Sequence, residues 1–164
     1  MRYASNDVGM FDLYFAEVRE TRADGPDIRW RLEDARVSAE CPANPHGAVM
    51  SVPEMWLTLV NPEIRAATET AHVDMRPIPP FITEYPARDV PREEWRRLLL
   101  GTRMLYAASE RAPVDGRRAL TLSVLSRKGM DIELLADDVR FEWDDYAGPA
   151  DFTAKDGWHV PDSE

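Results

Sequence analysis

Two runs of strict period-two alternation, separated by a three-residue turn, constrain the fold of this chain more than any other feature. Leu120, Leu122 and Val124 alternate with Thr121, Ser123 and Leu125, then Arg127-Lys128-Gly129 interrupts. Met130, Ile132 and Leu134 follow, with Asp131 and Glu133 between them. A period of two sends successive side chains to opposite faces, so the pattern predicts an antiparallel hairpin with one buried face. Val139, Phe141 and Trp143, with Arg140 and Glu142 outward, add a third strand.

The N-terminal third repeats the logic. Phe11 to Val18 reads as an aromatic-rich strand, Ala23-Asp24-Gly25-Pro26-Asp27 as a turn, and Ile28, Trp30 and Leu32 as the buried face of the return strand. The apolar phase then slips by one, to Ala35, Val37, Ala39 and Cys41, which predicts a bulge near Glu33-Asp34. Residues 41–47 are loop by composition. Met50 to Val60 is apolar on both faces, as in a central, covered strand. Asn61-Pro62-Glu63 is helix-start chemistry and predicts a short helix to about Thr70. His72 to Arg76 reads as a further strand. Five prolines in residues 77–91 predict an extended strap pinned to the surface by Phe81, Ile82 and Tyr85.

The main helix is predicted over about 91–111. Trp95, Leu98, Leu99, Thr102, Leu105, Tyr106 and Ser109 form a stripe at helical spacing, and Pro113 with Asp115-Gly116 ends it. Gly101 inside that span predicts a close approach by another element. The expected architecture is α+β: a mainly antiparallel sheet or small barrel with this one helix packed on it, in a single domain over 1–164. No internal repeat is visible.

Several chemistries are excluded. The eight glycines never come closer than nine residues apart, which removes the phosphate-binding loop and the dinucleotide fingerprint. There is no Gly-x-Ser-x-Gly elbow. His46, His72 and His159 are too widely spaced for a zinc-finger or zincin pattern, and the single cysteine builds neither a disulfide nor a thiolate site. No cofactor and no metal are expected. The early part of the chain has no signal-like apolar run, so the expected location is cytoplasmic, or the host cytoplasm or virion for a phage-coded chain.

Charge carries the functional expectation. The formal charge of −10 disfavours nucleic acid and anionic membrane as direct partners. Residues 131–164 hold eleven acids against Arg140 and Lys155, so nearly all the net charge sits in this C-terminal segment. Asp131, Glu133, Asp137, Asp138, Asp144 and Asp145, interleaved with Trp143 and Tyr146, have the makings of a steered interface for a basic protein partner. A solvated, solubility-giving face has the same composition. The expected function is a non-enzymatic binding or inhibitor protein of the immunity, antitoxin or phage-coded anti-nuclease kind, facing a nuclease-like or nucleic-acid-binding effector. The first alternative is a structural subunit of a virion, tail or secretion assembly, with the 77–91 strap making contacts to assembly neighbours. The second is a metal-dependent enzyme or small-ligand binder around His72 and Asp74, which share a strand face at i and i+2, with His159 as a third ligand. Cys41 with His46 has the residue types of a thiol nucleophile and its base, but Cys41 sits in an apolar phase that favours burial. Eighteen of the twenty bases are arginine, which reflects either GC-rich codons or a use for planar, two-pronged contacts to carboxylates.

Overall fold

The alternating runs become a sheet of ten strands in a computed structural model that describes residues 2–76 and 81–150. In chain order the strands are β1 (Tyr3–Ser5), β2 (Phe11–Asp12), β3 (Ala16–Asp24), β4 (Asp27–Glu33), β5 (Ala35–Val37), β6 (Met50–Val52), β7 (Met55–Val60), β8 (Glu63–Glu69), β9 (His72–Arg76) and β10 (Phe81–Tyr85). They continue with β11 (Arg88–Asp89), β12 (Met104–Val114), β13 (Arg117–Leu125), β14 (Gly129–Ala136), β15 (Asp138–Trp143) and β16 (Gly148–Pro149). The one α-helix among the described residues, α1 (Trp95–Leu100), follows a 3-10 turn at Arg92–Glu94. The large sheet runs β1-β15-β7-β4-β3-β12-β13-β14-β8-β11. It is antiparallel and, among the described residues, has two free edges and does not close into a barrel. A four-stranded sheet (β16-β6-β5-β2) and the β9–β10 pair complete the described residues. Among these, no helix is long and apolar enough to cross a membrane.

The strand order reads the same outward from the β3–β12 seam. β3 matches β12, β4 matches β13, β7 matches β14, β15 matches β8 and β1 matches β11. Each half is a hairpin plus a third strand, and the fourth strands are exchanged. β7 turns at Asn61-Pro62 into β8, which pairs with β14 of the other half; β14 turns at Asp137 into β15, which pairs with β7. The two corners touch: Asp137 N donates to Val60 O (2.9 Å) and Asn61 Nδ2 donates to Asp137 Oδ2 (3.1 Å). Arg117 Nε donates to Asp137 (2.9 Å), its Nη1 to Glu63 (2.9 Å), and its Nη2 to Asn61 O. The repeat also shows in the residues, which corrects the expectation of none. The first hairpin of each half turns at Asp-Gly (Asp24-Gly25, Asp115-Gly116), and Met55, Leu57, Leu59, Glu63, Ile64 and Arg65 recur at one offset as Met130, Ile132, Leu134, Asp138, Val139 and Arg140.

Inward faces from both halves make the core. Trp30, Leu32, Met55, Leu105, Ile132, Val139 and Trp143 are all fully buried. The 120–134 hairpin has the predicted inward set, with Leu120 opposite Leu134 and Leu122 opposite Ile132. β7 lies between β15 and β4 and is buried on both faces, as its two apolar sides require. Its Trp56 is roofed by the guanidinium groups of Arg22 and Arg29, 5.0 and 4.7 Å from the ring centre. The phase slip at Glu33-Asp34 is not a bulge in the ladder. Asp34 takes a left-handed conformation (φ 63) and turns the chain out of the large sheet, so Ala35, Arg36 and Val37 are buried in the smaller one. The bulge between β3 and β4 falls at Val18–Glu20 instead. The Phe11–Val18 strand is likewise broken, by Asp12 accepting from Tyr14 N (3.0 Å) and by Phe15 at φ 57.

Further expectations are corrected. The helix at 91–111 stops at Leu100; residues 104–114 are strand β12. Asp115 and Gly116 both have positive φ (52 and 73), the geometry of a two-residue hairpin turn, so this pair joins β12 to β13 and does not end a helix. Gly101 caps α1, where an added Cβ would lie 3.1 Å from Arg97 O and 3.4 Å from Ser126 Oγ. Residues 63–69 form β8 instead of a helix, because Asn61 adopts φ 47 and makes a corner, not a cap. The 77–91 strap contains β10, paired with β9, and the short β11; residues 77–80 lie outside the described set. The tail reaches the body through Tyr146 and β16, while Phe152 and Trp158 lie outside the described residues.

α1 is too short to stand alone and is held by a core contact. Trp30 Nε1 donates to Leu99 O at 2.9 Å, and both residues are buried. Replacing Trp30 with Phe keeps most of the ring but leaves that carbonyl unpaired, and is expected to destabilise the protein by about 1–3 kcal/mol. A urea melt of Trp30→Phe checks this; an unchanged midpoint would show that Leu99 O finds another donor.

Candidate functional site

The acidic segment is placed first, since it carried the functional expectation. Asp131 is exposed on β14 and accepts from Ser123 Oγ at 2.7 Å. Glu133 pairs with Arg111 (3.2 Å) and Asp137 with Arg117. Asp138 accepts from Arg118 (3.1 Å), Arg140 (3.0 Å) and Val139 N (2.9 Å). Asp144 accepts from Arg2 N at 2.9 Å, and Asp145 is exposed. β15 separates these last two from Asp138 by about 20 Å of strand. Asp151, Asp156, Asp162 and Glu164 lie outside the described residues. Trp143 is corrected as a surface anchor: it is 0% exposed, stacked on Tyr3 at 5.8 Å. Tyr146 is half-buried, donates its hydroxyl to Ala43 O (2.8 Å), and packs edge-on against Tyr3 and His46. Burial pushes its pKa up.

Glu133, Asp137 and Asp138 are therefore engaged from within. Hydrogen bonds from Asn61 and then Arg117 hold Asp137 below its ordinary pKa, against the opposing effect of burial. Burial raises Asp138, but hydrogen bonds from Arg140, Val139 N and Arg118 outweigh it, and its pKa is lowered. Arg118 also grips Glu110 through two prongs, Nε to Oε2 and Nη2 to Oε1, both 2.7 Å, and that bond lowers the Glu110 pKa.

The other candidates separate in space or in burial. Cys41 is buried in the core, while His46 is exposed at a turn. His72 and Asp74 lie on β9; His72 stacks on Tyr85 with centroids 4.5 Å apart and rings 7° from parallel. His72 Nδ1 is buried without a hydrogen-bond partner among the described residues. His159 lies outside them. No group of three or more His, Cys, Asp or Glu among the described residues is placed to hold a metal ion.

Two features escaped the sequence reading. One is the β9–β10 arm, whose strands hydrogen-bond to each other and to no other described strand. It exposes Val73 (57%), Ile82 (65%) and Tyr85 (41%). The other is a basic cleft of about 470 Å³ beside the arm. Arg88, Arg97, Arg103, Arg127 and Lys128 line it, with Glu69 and Glu94 as its acids. Glu69 is buried, and its carboxylate is clamped by Arg88 Nη2 (3.0 Å) and Lys128 Nζ (3.1 Å). Burial raises the Glu69 pKa, but those two hydrogen bonds outweigh it and hold the group ionised. Lys128 Nζ also sits 5.3 Å from the Tyr85 ring centre, linking cleft to arm. The cleft draws its cations from four segments of the chain, and the Arg127-Lys128 pair of the hairpin turn is the one part visible as a run.

Comparison with protein-family models, with characterised proteins and with solved structures gives no match.

The Arg118 contacts have a pH consequence. Carboxylates with depressed folded pKa values stabilise the fold above their ordinary values, 4.5 for Glu110 and 3.8 for Asp138, and that stability is lost as pH falls through the folded values. Arg118→Met is expected to lower the urea midpoint at pH 7 and to flatten its fall between about pH 5 and pH 3. Equal pH slopes in variant and parent would refute the assignment.

Proposed function

We propose that this protein is a non-enzymatic structural subunit that associates with further copies of itself through the β9–β10 arm. The observation that carries this reading is the arm's unsupported apolar surface. Its register places Val73 opposite Glu84 and Ile82 opposite Met75, so Val73 and Ile82 share one face while His72 and Tyr85 occupy the other. A two-stranded hairpin is marginal in water and gains independent stability from a third strand or from packing. Among the described residues nothing pairs with either edge of the arm. An isologous contact between two arms gives each the packing that it lacks, and open strand edges favour such additions.

The inhibitor reading has less support. Arginines of the same chain already engage Glu133, Asp137 and Asp138, so the field available to steer a basic partner is reduced, and Trp143 presents no surface. The metal-centred reading of His72 and Asp74 lacks a third ligand among the described residues.

Light scattering over a concentration series tests the proposal. The parent is expected to show a mass above 18.7 kDa that rises with concentration. Ile82→Asp, at an exposed position, is expected to weaken association by about tenfold or more with an unchanged thermal midpoint. A parent that remains at one chain's mass throughout, or an Ile82→Asp variant that associates equally well, would overturn it.

A further inference from the structure

We infer that the basic cleft beside the arm binds a small phosphorylated molecule, with its phosphoryl groups held by Arg103, Arg127, Lys128 and Arg88. The inference stands apart from the proposed self-association, because it rests on different residues.

The charge is the first argument. Five cations face two acids in this cleft, an excess of three positive charges on a protein of net charge −10. Like charges gathered in a concavity repel one another, and an anion of two or more negative charges relieves that repulsion. Arg103 and Arg127 make no ion pair or side-chain hydrogen bond with any described residue, and both are exposed. A singly charged carboxylate leaves most of the excess uncompensated. A phosphomonoester or diphosphate matches it in charge, and its several oxygens suit guanidinium forks.

Preorganisation is the second argument. The Arg103 backbone is fixed by two ladder-type bonds, its N donating to Leu125 O and its O accepting from Val18 N, both at 2.8 Å. Glu69 holds Lys128 and Arg88 on opposite oxygens of one buried carboxylate, so these cations are positioned before any ligand arrives. It acts as a positioning residue.

Size and lining are the third. A volume of about 470 Å³ falls within the range of small-molecule sites. Val90, Leu98 and Met130 give it an apolar wall on which the organic part of a phosphoester can rest. A nucleic-acid polymer is disfavoured by the strongly negative remainder of the chain.

Calorimetric titration of the full chain with pyrophosphate and with ADP, at low and at physiological salt, tests the inference. Both probes are expected to bind in the submillimolar range, with acetate not binding. Arg103→Gln and Arg127→Gln, at exposed positions, are each expected to weaken pyrophosphate by about tenfold, while Ile82→Asp leaves it unchanged. A second arm separates free phosphoesters from lipid headgroups: phosphatidylcholine vesicles with and without phosphatidate are sedimented with the protein, and neither is expected to carry it down. Absence of pyrophosphate and ADP binding at millimolar concentration would overturn the inference. So would unchanged affinity in both Arg variants, or a preference for phosphatidate vesicles or a single-stranded oligonucleotide over both probes.

Discussion

The crossing of β8 and β15 is the constraint on which the rest of this fold depends. Each strand leaves the half in which it begins and pairs in the other, so the two corners at Asn61-Pro62 and Asp137 must lie against one another. Three groups hold them there: Asn61, Asp137 and the three-pronged Arg117. The turn of the first hairpin joins in, since Asp27 Oδ1 accepts from Asn61 N at 2.8 Å. With the corners locked, the halves share inward faces, and Trp30, Leu57, Ile132 and Phe141 enter one core instead of two thin ones. The seam between β3 and β12 is short by comparison, with register partners at Met104–Glu17 and Leu105–Ala16. The exchange of fourth strands therefore does more than the seam to unite the halves.

Arginine chemistry organises the surface. Arg118 spans Glu110 and Asp138 with forked contacts that a lysine ammonium cannot reproduce. Arg22 and Arg29 lie over Trp56, and Arg88 shares Glu69 with Lys128. These contacts give the arginine-rich composition a structural use, whatever its codon origin. They also explain why the acidic run at 131–145 is not a bare negative face. Glu133, Asp137 and Asp138 meet arginines brought alongside by antiparallel pairing, so the charge asymmetry along the chain is partly cancelled in space. The positive excess collects instead in the cleft.

The arm and the cleft meet at Lys128, which pairs with Glu69 on one side and faces Tyr85 on the other. Tyr85 in turn stacks on His72 at the root of the arm. Self-association and anion binding are distinct proposals with distinct residues, but they share this one contact, so a change in the cleft has a short route to the arm.

The sequence by itself determined the strands whose burial is written in period two, within 28–32, 120–125, 130–134 and 139–143, and the doubly apolar run within 50–60 that became the covered strand β7. Alternation is a local property, and a strand with one wet face needs no knowledge of its partner to show it. The burial of Cys41 was legible for the same reason, from its place in the apolar phase with Ala35, Val37 and Ala39. Tertiary structure alone decided the rest. Residues 104–111 carry apolar spacing compatible with a helix, and they became part of β12 because Asp115-Gly116 delivers them to β13, where strand hydrogen bonds win over local preference. Asn61-Pro62 has the composition of a helix start and became a corner because β8 had an open neighbour in β14. The cleft was illegible because its cations converge from separate segments, and the burial of Trp143 was hidden because an aromatic at a strand end reads alike whether it anchors a partner or fills a core. Pairing between distant strands, not local spacing, settles each of these, and such pairing exists only once the chain has folded.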